Sequence, residues 1–527
     1  TSFTVAAPGT LAKFEAKNYF AALGQVQWES YALTTPTAGG RNGQALVVPS
    51  TGQLLVTETD VSTPTRGLLP VSITRIHRSS TADMSSNGGG GVFGEGWHLS
   101  LDQRMTVSSV NAYGPNFQYL SADGRVYDYN RNESAFVYTS PTGHFDTLHE
   151  VTFEDSTHLK LRKSNGTSYY FQFRSNSNNH VVAPSSATAG DTAYLVAVED
   201  RNQNVIVISR FAATSTADDQ PANAISSIAD PSSRTTTFAY YDSSGDSTGG
   251  DGVGLLKSIT QFNELAPQDR RTWSYEYNSN DVLETVAMPE EVVGTGTTES
   301  FRSRTYSYNG TTRLSSVLDP RGDTTLRVFY DPDDRVCQVD YACDDICGTS
   351  FYTYEVDTST DTNIATAVDR NGNVSMVEHE AAPSGDPMIG LASVLPRGIH
   401  GSEPTTYQVG FDHNSRNLIQ KVANENTKEA IAYEYCECGC PKKIIQLEDY
   451  LNPSINDLIT CIQYSEAFAQ PVLIIPPQAI DPSDITPGDP CNLEEDPYEV
   501  ADFDPDYATY IAYDEVTFAD NIFYAGV

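Results

Sequence analysis

Three kinds of side chain have types and spacing that could do chemistry here: carboxylates crowded on short loops, cysteines gathered toward one end, and glycan-acceptor asparagines. Asp242, Asp246 and Asp251 share a Gly-rich stretch, Asp331, Asp333 and Asp334 form a second group, and Asp502, Asp504 and Asp506 alternate near the C-terminal end. Hard oxygen ligands on loops suit calcium, the one cofactor these residues suggest. No group matches a complete calcium loop with its glycine and distal bidentate glutamate, so solvated acidic loops are the plainer expectation. The eight cysteines are Cys337, Cys343, Cys347, Cys436, Cys438, Cys440, Cys461 and Cys491. An even number in a secreted chain points to disulfides, with a thiolate metal site and free thiols as the alternatives. Cys436-Glu437-Cys438-Gly439-Cys440 lacks the two-residue spacing of a zinc knuckle. On a strand, its three thiols would share one face and take partners from neighbouring strands. Asn132, Asn165, Asn309 and Asn373 each head an Asn-x-Ser/Thr site, which matters only in a host that glycosylates it.

Other motifs carry less. Gly245-Asp246-Ser247-Thr248-Gly249 fits the nucleophile-elbow pattern, but that motif needs a strand before it and a helix after it, and here it lies in an Asp/Ser/Gly loop. Arg321-Gly322-Asp323 resembles an adhesion tripeptide yet belongs to a recurring turn. The nine histidines form no metal-ligand pattern. No nucleophile, acid pair or metal set converges, so the chain is expected not to be an enzyme.

The elements that must position these residues repeat. Tyr277-Asn278 leads to Leu283 and Val286, Tyr308-Asn309 to Leu314 and Val317, and Tyr330-Asp331 to Val336 and Val339, all at the same offsets. Looser copies start at Tyr241-Asp242, before Leu256 and Ile259, and at Phe411-Asp412, before Leu418 and Val422. Upstream of the turns, aromatics fall on every second residue, as in Trp273, Tyr275 and Tyr277, which is the period of a strand face. The Asp or Asn can bond its own backbone two residues on. Each phrase is therefore a β-hairpin. Asp200 to Asn204, Asp230 to Arg234, Asp319 to Asp323 and Asp369 to Asn373 read as the opposite turns of one meander. Self-similarity of this kind means stacked units.

These phrases resemble the YD-repeat or Rhs (rearrangement-hotspot) proteins. The resemblance extends upstream through Pro49-Ser50-Thr51-Gly52, Glu58-Thr59-Asp60-Val61, Pro64 to Pro70, Ile73-Thr74-Arg75 and Gly91-Val92-Phe93-Gly94-Glu95-Gly96-Trp97, which look like the segment opening such an array. It covers about residues 45 to 440. It implies a long β-sheet coiled into a hollow shell, often around a C-terminal toxin. This chain has fewer repeats than the shells of the family, no Asp-Pro-x-Gly-x-x-Gly autocleavage phrase after them and no toxin-like site, so it resembles a short form and the architecture is what carries over.

Thirty tyrosines and five methionines suit strands, and 69 acidic against 32 basic residues give a net charge of −37, which disfavours nucleic acid and anionic lipid. No apolar run of about 18 residues exists to insert in a membrane. A start at Thr1 without a signal stretch reads as a processed, secreted chain. Leu11, Phe14, Phe20 and Leu23 fall near helical spacing. Residues 471 to 490 are Pro-rich and expected to be extended, unable to form a central strand. Beyond them an acidic tail alternates with Tyr507, Ile511, Tyr513, Val516, Phe518 and Phe523, residues able to add as a strand to a sheet edge.

The fold expected is all-β: an antiparallel YD-repeat hairpin array forming a curled open sheet, with a short N-terminal helix and an extended C-terminal arm. Its parts are residues 1–44 (arm and helix), 45–110 (leading segment), 111–440 (repeat array), 441–490 (Cys/Pro-rich connector) and 491–527 (acidic-aromatic arm). The function expected is that of an extracellular structural protein, a filament protomer joined head-to-tail to copies of itself by terminal strand addition. The alternatives are a short or partial Rhs-type toxin-delivery shell, and an adhesin binding a glycan or another cell-surface ligand.

Overall fold

A computed structural model describes residues 43–526 apart from 49–51, 64–68, 80–90, 123, 125, 132–137, 140–145, 164–165, 176–177, 218, 243–252, 263, 266–269, 290–302, 311–312, 342–347, 358–361, 369–373, 381–395, 401–406, 414–418, 437–439, 453–456, 465–470, 478–507, 512 and 519–520. The helix expected within Leu11 to Leu23 lies outside the described residues.

The fold is all-β and antiparallel, a curled open sheet preceded by a smaller one. The leading sheet has four strands in sequence order: Gly43–Val48, Gln53–Thr63, Val71–Arg78 and Trp97–Leu99. The large sheet starts at Arg104–Asn111 and forks at Thr192–Glu199. One edge of that strand pairs with Ser168–Arg174, while residues 192–194 also meet Arg104–Asn111 and residues 197–199 meet Val205–Arg210. From this fork the hairpins follow one another in chain order, each strand pairing with the next.

The turns confirm the role read for Asp and Asn. Asp200, Asp230, Asn278, Asp319 and Asp331 each accept, on one side-chain oxygen, the backbone N–H groups two and four residues on. The tyrosine before the turn has a second role. Its hydroxyl donates to the carbonyl of the first aliphatic residue of the preceding hairpin: Tyr277 to Leu256 (2.8 Å), Tyr308 to Leu283 (2.5 Å), Tyr330 to Leu314 (2.9 Å) and Tyr354 to Val336 (2.8 Å). Tyr435 to Ile419 and Tyr464 to Pro441 continue the series. Each hairpin is thereby stitched to its predecessor, and the backbone carbonyl it covers is satisfied inside the sheet.

The register also shifts by one residue beside these tyrosines, at Glu276/Tyr277, Ser307/Tyr308, Phe329/Tyr330 and Glu434/Tyr435. In these hairpins the recurring bulge adds twist beside the stitching tyrosine, which helps to curl the sheet. In the Phe411-Asp412 copy Leu418 lies outside the described residues, and its neighbour Ile419 stands three residues before Val422. Ile419 is buried, pairs with His413, and restores the three-residue offset of the other copies.

Two further expectations are corrected. Pro471–Ile475 is a strand with partners on both sides, Leu458–Tyr464 and Thr509–Tyr510; proline is tolerated because it is the first residue of the strand. The C-terminal arm is not one extended piece. Thr509–Tyr510 adds to the sheet of its own chain, and Tyr513–Phe518 folds back on Asn521–Gly526 as a separate hairpin.

Candidate functional site: a buried junction between the leading sheet and the repeats

The strand Val71–Arg78 places Val71, Ile73, Arg75 and His77 on one buried face. Arg75 therefore projects a charge where the pattern calls for an apolar side chain. Glu58 lies directly opposite it on the neighbouring strand, and a bulge between Thr59 and Val61 brings Asp60 to the same cluster. Arg75 Nη2 donates to Glu58 Oε2 (2.8 Å) and Asp60 Oδ1 (3.0 Å), and Nε donates to Asp60 Oδ2 (2.6 Å).

The remaining partners come from the repeats. Tyr306 donates its hydroxyl to Glu58 (2.5 Å), Tyr275 donates to Asp60 (2.8 Å), and Arg304 pairs with Glu58 at 3.0 Å. The Arg75 guanidinium also lies 5.1 Å from the ring centre of Trp97, 5.5 Å from that of Tyr306 and 5.9 Å from that of Tyr275. Two carboxylates thus face two guanidiniums inside a cage of aromatic rings, a balance that a buried charge requires.

Burial alone would raise the Glu58 carboxyl, but Arg75 and Arg304 outweigh it and hold it below the usual carboxylate range. Burial likewise opposes the charge on Arg75, and Asp60 with its neighbours reverses that, raising its pKa. Tyr275 and Tyr306 are pushed well above an ordinary phenol, first by burial and then by the adjoining carboxylates.

The rest of the Gly91 to Trp97 motif completes the seam. Phe93 packs edge-on against Tyr275 at 5.1 Å and Trp97 against Tyr306 at 5.3 Å, while Trp97 Nε1 donates to Tyr308 (2.8 Å). Main-chain bonds run from Leu256 N–H to Val92 O and from Val336 N–H to Gly52 O, each 2.8 Å. Gly94, at φ +81°, approaches so closely that a Cβ there would sit 1.8 Å from the Asp281 carbonyl oxygen. One hydrophobic cluster runs without a break from Ala45 through the repeats to Ala367. This arrangement locks and positions; it does not present a reactive group to solvent.

Sequence reasoning used Glu58, Asp60 and Arg75 only as part of a family resemblance. The available signal was an arginine on the buried face of an alternating strand, opposite a Glu-x-Asp.

The residues expected to act are mostly dispersed. Asp242 is half-buried, whereas Asp246, Asp251, Asp502, Asp504 and Asp506 lie outside the described residues, and among the described residues no group of three His, Cys, Asp or Glu side chains could hold a metal. Asp331 and Asp333 pair with Arg335, and Asp334 pairs with Arg313.

Cys337, expected in a disulfide, carries a free thiol among the described residues, raised above its usual range by burial and then by Asp331. Cys436 and Cys440 flank residues 437–439, which lie outside the described residues. Ala430–Tyr435 ends before Cys436, Pro441–Leu447 begins after Cys440, and Cys436 N–H donates to Cys440 O at 3.0 Å. Cys440 and Cys461 are buried, and burial pushes the Cys440 thiol up to about 11. Cys343, Cys347, Cys438 and Cys491 fall outside the described residues.

Of the acceptor asparagines, Asn309 is described and exposed at the end of Ser303–Asn309, while Asn132, Asn165 and Asn373 lie outside the described residues. Ile511 is half-buried and donates its N–H to Val472 O at 2.8 Å, next to the Thr509–Tyr510 pairing. Tyr513, Val516, Phe518 and Phe523 belong to the separate terminal hairpin, and Tyr507 lies outside the described residues.

Comparison with known proteins gives a family match to a domain of unknown function, DUF6531, over residues 45–129. No curated protein matches the chain. Among solved structures it is similar to TcdB2-TccC3 without its hypervariable C-terminal region, at 8% identity and a TM-score of 0.33, over 88% of this chain and 27% of that one. A TcdB2-TccC3 structure gives 11% identity and a TM-score of 0.29 over 92% and 29%. The N-terminal domain of the effector SpvB from Salmonella typhimurium strain LT2 gives 14% identity and a TM-score of 0.21 over 59% and 99%. The chain spans under a third of the length of the TcdB2-TccC3 chains it matches.

Proposed function

We propose that this chain is a secreted, non-enzymatic wall segment of a YD-repeat shell of the toxin-delivery type, closed at one place by its own leading sheet. The observation that carries the reading is the Arg75 junction. A curled sheet of hairpins buries a second sheet against its tyrosines, and contacts such as Tyr306 to Glu58 join residues 248 apart in the chain. Such a layout is suited to bounding an enclosed space, a mechanical role. An oxidising compartment is consistent with Cys436 and Cys461, which we propose are cross-linked as disulfides.

A head-to-tail filament is the second reading. It is favoured by the addition of Thr509–Tyr510 to a sheet edge, since the same two-residue pairing could be exchanged between copies if it opened in its own chain.

Electron microscopy together with sedimentation separates the two. Discrete curled particles with internal density at the leading sheet, sedimenting as a monomer, are expected. Polymers that dissolve on truncation after residue 507 would transfer the reading to the filament. Flat ribbons without enclosed density would overturn the shell.

A further inference from the structure

A cavity of about 410 Å³ opens on the face of the sheet opposite the core, where the hairpin around Glu154 leans toward Ser168–Arg174 and the fork strand. That size suits one or two sugar rings. Its wall includes Phe153, Glu154, Arg174, Tyr194, Ser209 and Asn223.

Arg174 is held in position by a one-way chain of hydrogen bonds. The Ser156 carbonyl can only accept, so the His158 Nδ1 beside it at 2.9 Å carries the proton. Nε2 of the neutral ring then accepts from Gln172 Nε2 at 3.1 Å, which leaves Gln172 Oε1 to accept from Arg174 Nε at 2.8 Å. His158 and Gln172 are buried, at 3% and 7% exposure, so two desolvated side chains are committed to orienting one guanidinium.

Among the described residues Arg174 has no carboxylate within ion-pair distance. Arg210, lining the same cavity, pairs with Asp102 and with the carbonyls of Leu101, Leu195 and Asn223. In a chain with 69 acidic and 32 basic residues, an arginine oriented by buried side chains at the wall of a cavity is placed to pair with an anion.

We propose that this cavity binds a carboxylate-bearing sugar, its carboxylate on the Arg174 fork, its ring against Phe153 and Tyr194, and its hydroxyls on Glu154 and Asn223. The aromatic walls and the hydrogen-bonding groups of Glu154 and Asn223 favour a ligand that adds a ring rich in C–H and O–H to its carboxylate over a bare anion, which could not use them. The site is independent of the leading-sheet junction and stands or falls separately from the shell reading.

The test is saturation-transfer NMR and titration of the full chain with glucuronic acid, beside glucose and acetate. Binding of glucuronic acid, with glucose and acetate each weaker by roughly tenfold or more, is expected from loss of a charge-assisted pair or of the ring contacts. Arg174→Gln should weaken glucuronic acid by a similar factor. Ser209→Trp, at an exposed position, should block it while leaving Arg174 in place, and unchanged circular dichroism of both variants shows that they fold. No binding of glucuronic acid, equal binding of acetate, or binding unaffected by either substitution overturns the proposal.

Discussion

Arg75 shows what one side chain can commit a fold to. Its guanidinium satisfies Glu58 and Asp60, so Arg75→Met would leave two buried carboxylates facing Arg304 alone. Breaking a buried pair from one side costs about 3–5 kcal/mol, and urea denaturation should show a loss of that order. The same cluster sets the pH limits of stability. The pKa of Glu58 is lower folded than unfolded, so its contribution is present above the ordinary carboxylate value of 4.5 and is lost as the pH falls through the folded value. The phenols of Tyr275, Tyr277 and Tyr306 are raised instead, so their contribution is full below pH 10 and declines as the pH rises beyond it toward the folded values. An alkaline titration followed at 295 nm should show these phenolates appearing only together with loss of the far-ultraviolet β signal. Phenolate absorbance before unfolding would contradict their burial.

At the scale of the hairpin, the turn chemistry was legible and the stitch was not. An Asp after an aromatic announces a turn because a short carboxylate can collect nearby N–H groups, which Asp319 does from Arg321 and Asp323. Nothing local announces that the Tyr308 hydroxyl reaches a carbonyl on the previous hairpin, because that contact exists only once neighbouring units have paired. A phrase keyed to Asp or Asn therefore passed over Tyr354, Tyr435 and Tyr464, which make the stitch before Glu355, Cys436 and Ser465. Tyr308→Phe should cost about 1 kcal/mol, as should Asp319→Ala. Hydrogen exchange distinguishes them. Tyr308→Phe should release amides in both the Leu283–Ala287 and Ser303–Asn309 strands, whereas Asp319→Ala should release those beside its own turn.

For the molecule as a whole, the question is whether the leading sheet is a separate lobe or part of the wall. A sequence divided at residue 110 suggests separable pieces, yet the hydrophobic cluster and the main-chain bonds at Val92 and Gly52 cross that line. Long-range closure of this sort cannot be read from alternation, since Gly94 meets Asp281 only after the repeats have curled. It has a measurable consequence. Trp97 sits in the leading sheet and Trp273 in the repeats, both buried in the shared core, so with the third tryptophan, Trp28, replaced by phenylalanine, tryptophan fluorescence reports the junction while far-ultraviolet circular dichroism reports all strands. In that chain the two signals should lose structure at the same denaturant concentration across the coupled region, as a cooperative unit must. Gly94→Ala places a Cβ against the Asp281 carbonyl and should pry the seam, moving the fluorescence transition to lower denaturant ahead of the circular dichroism transition. If both transitions instead shift together, the leading sheet and the repeats remain one cooperative body even with the seam strained, and closure rests on the Arg75 cluster more than on the backbone approach at Gly94.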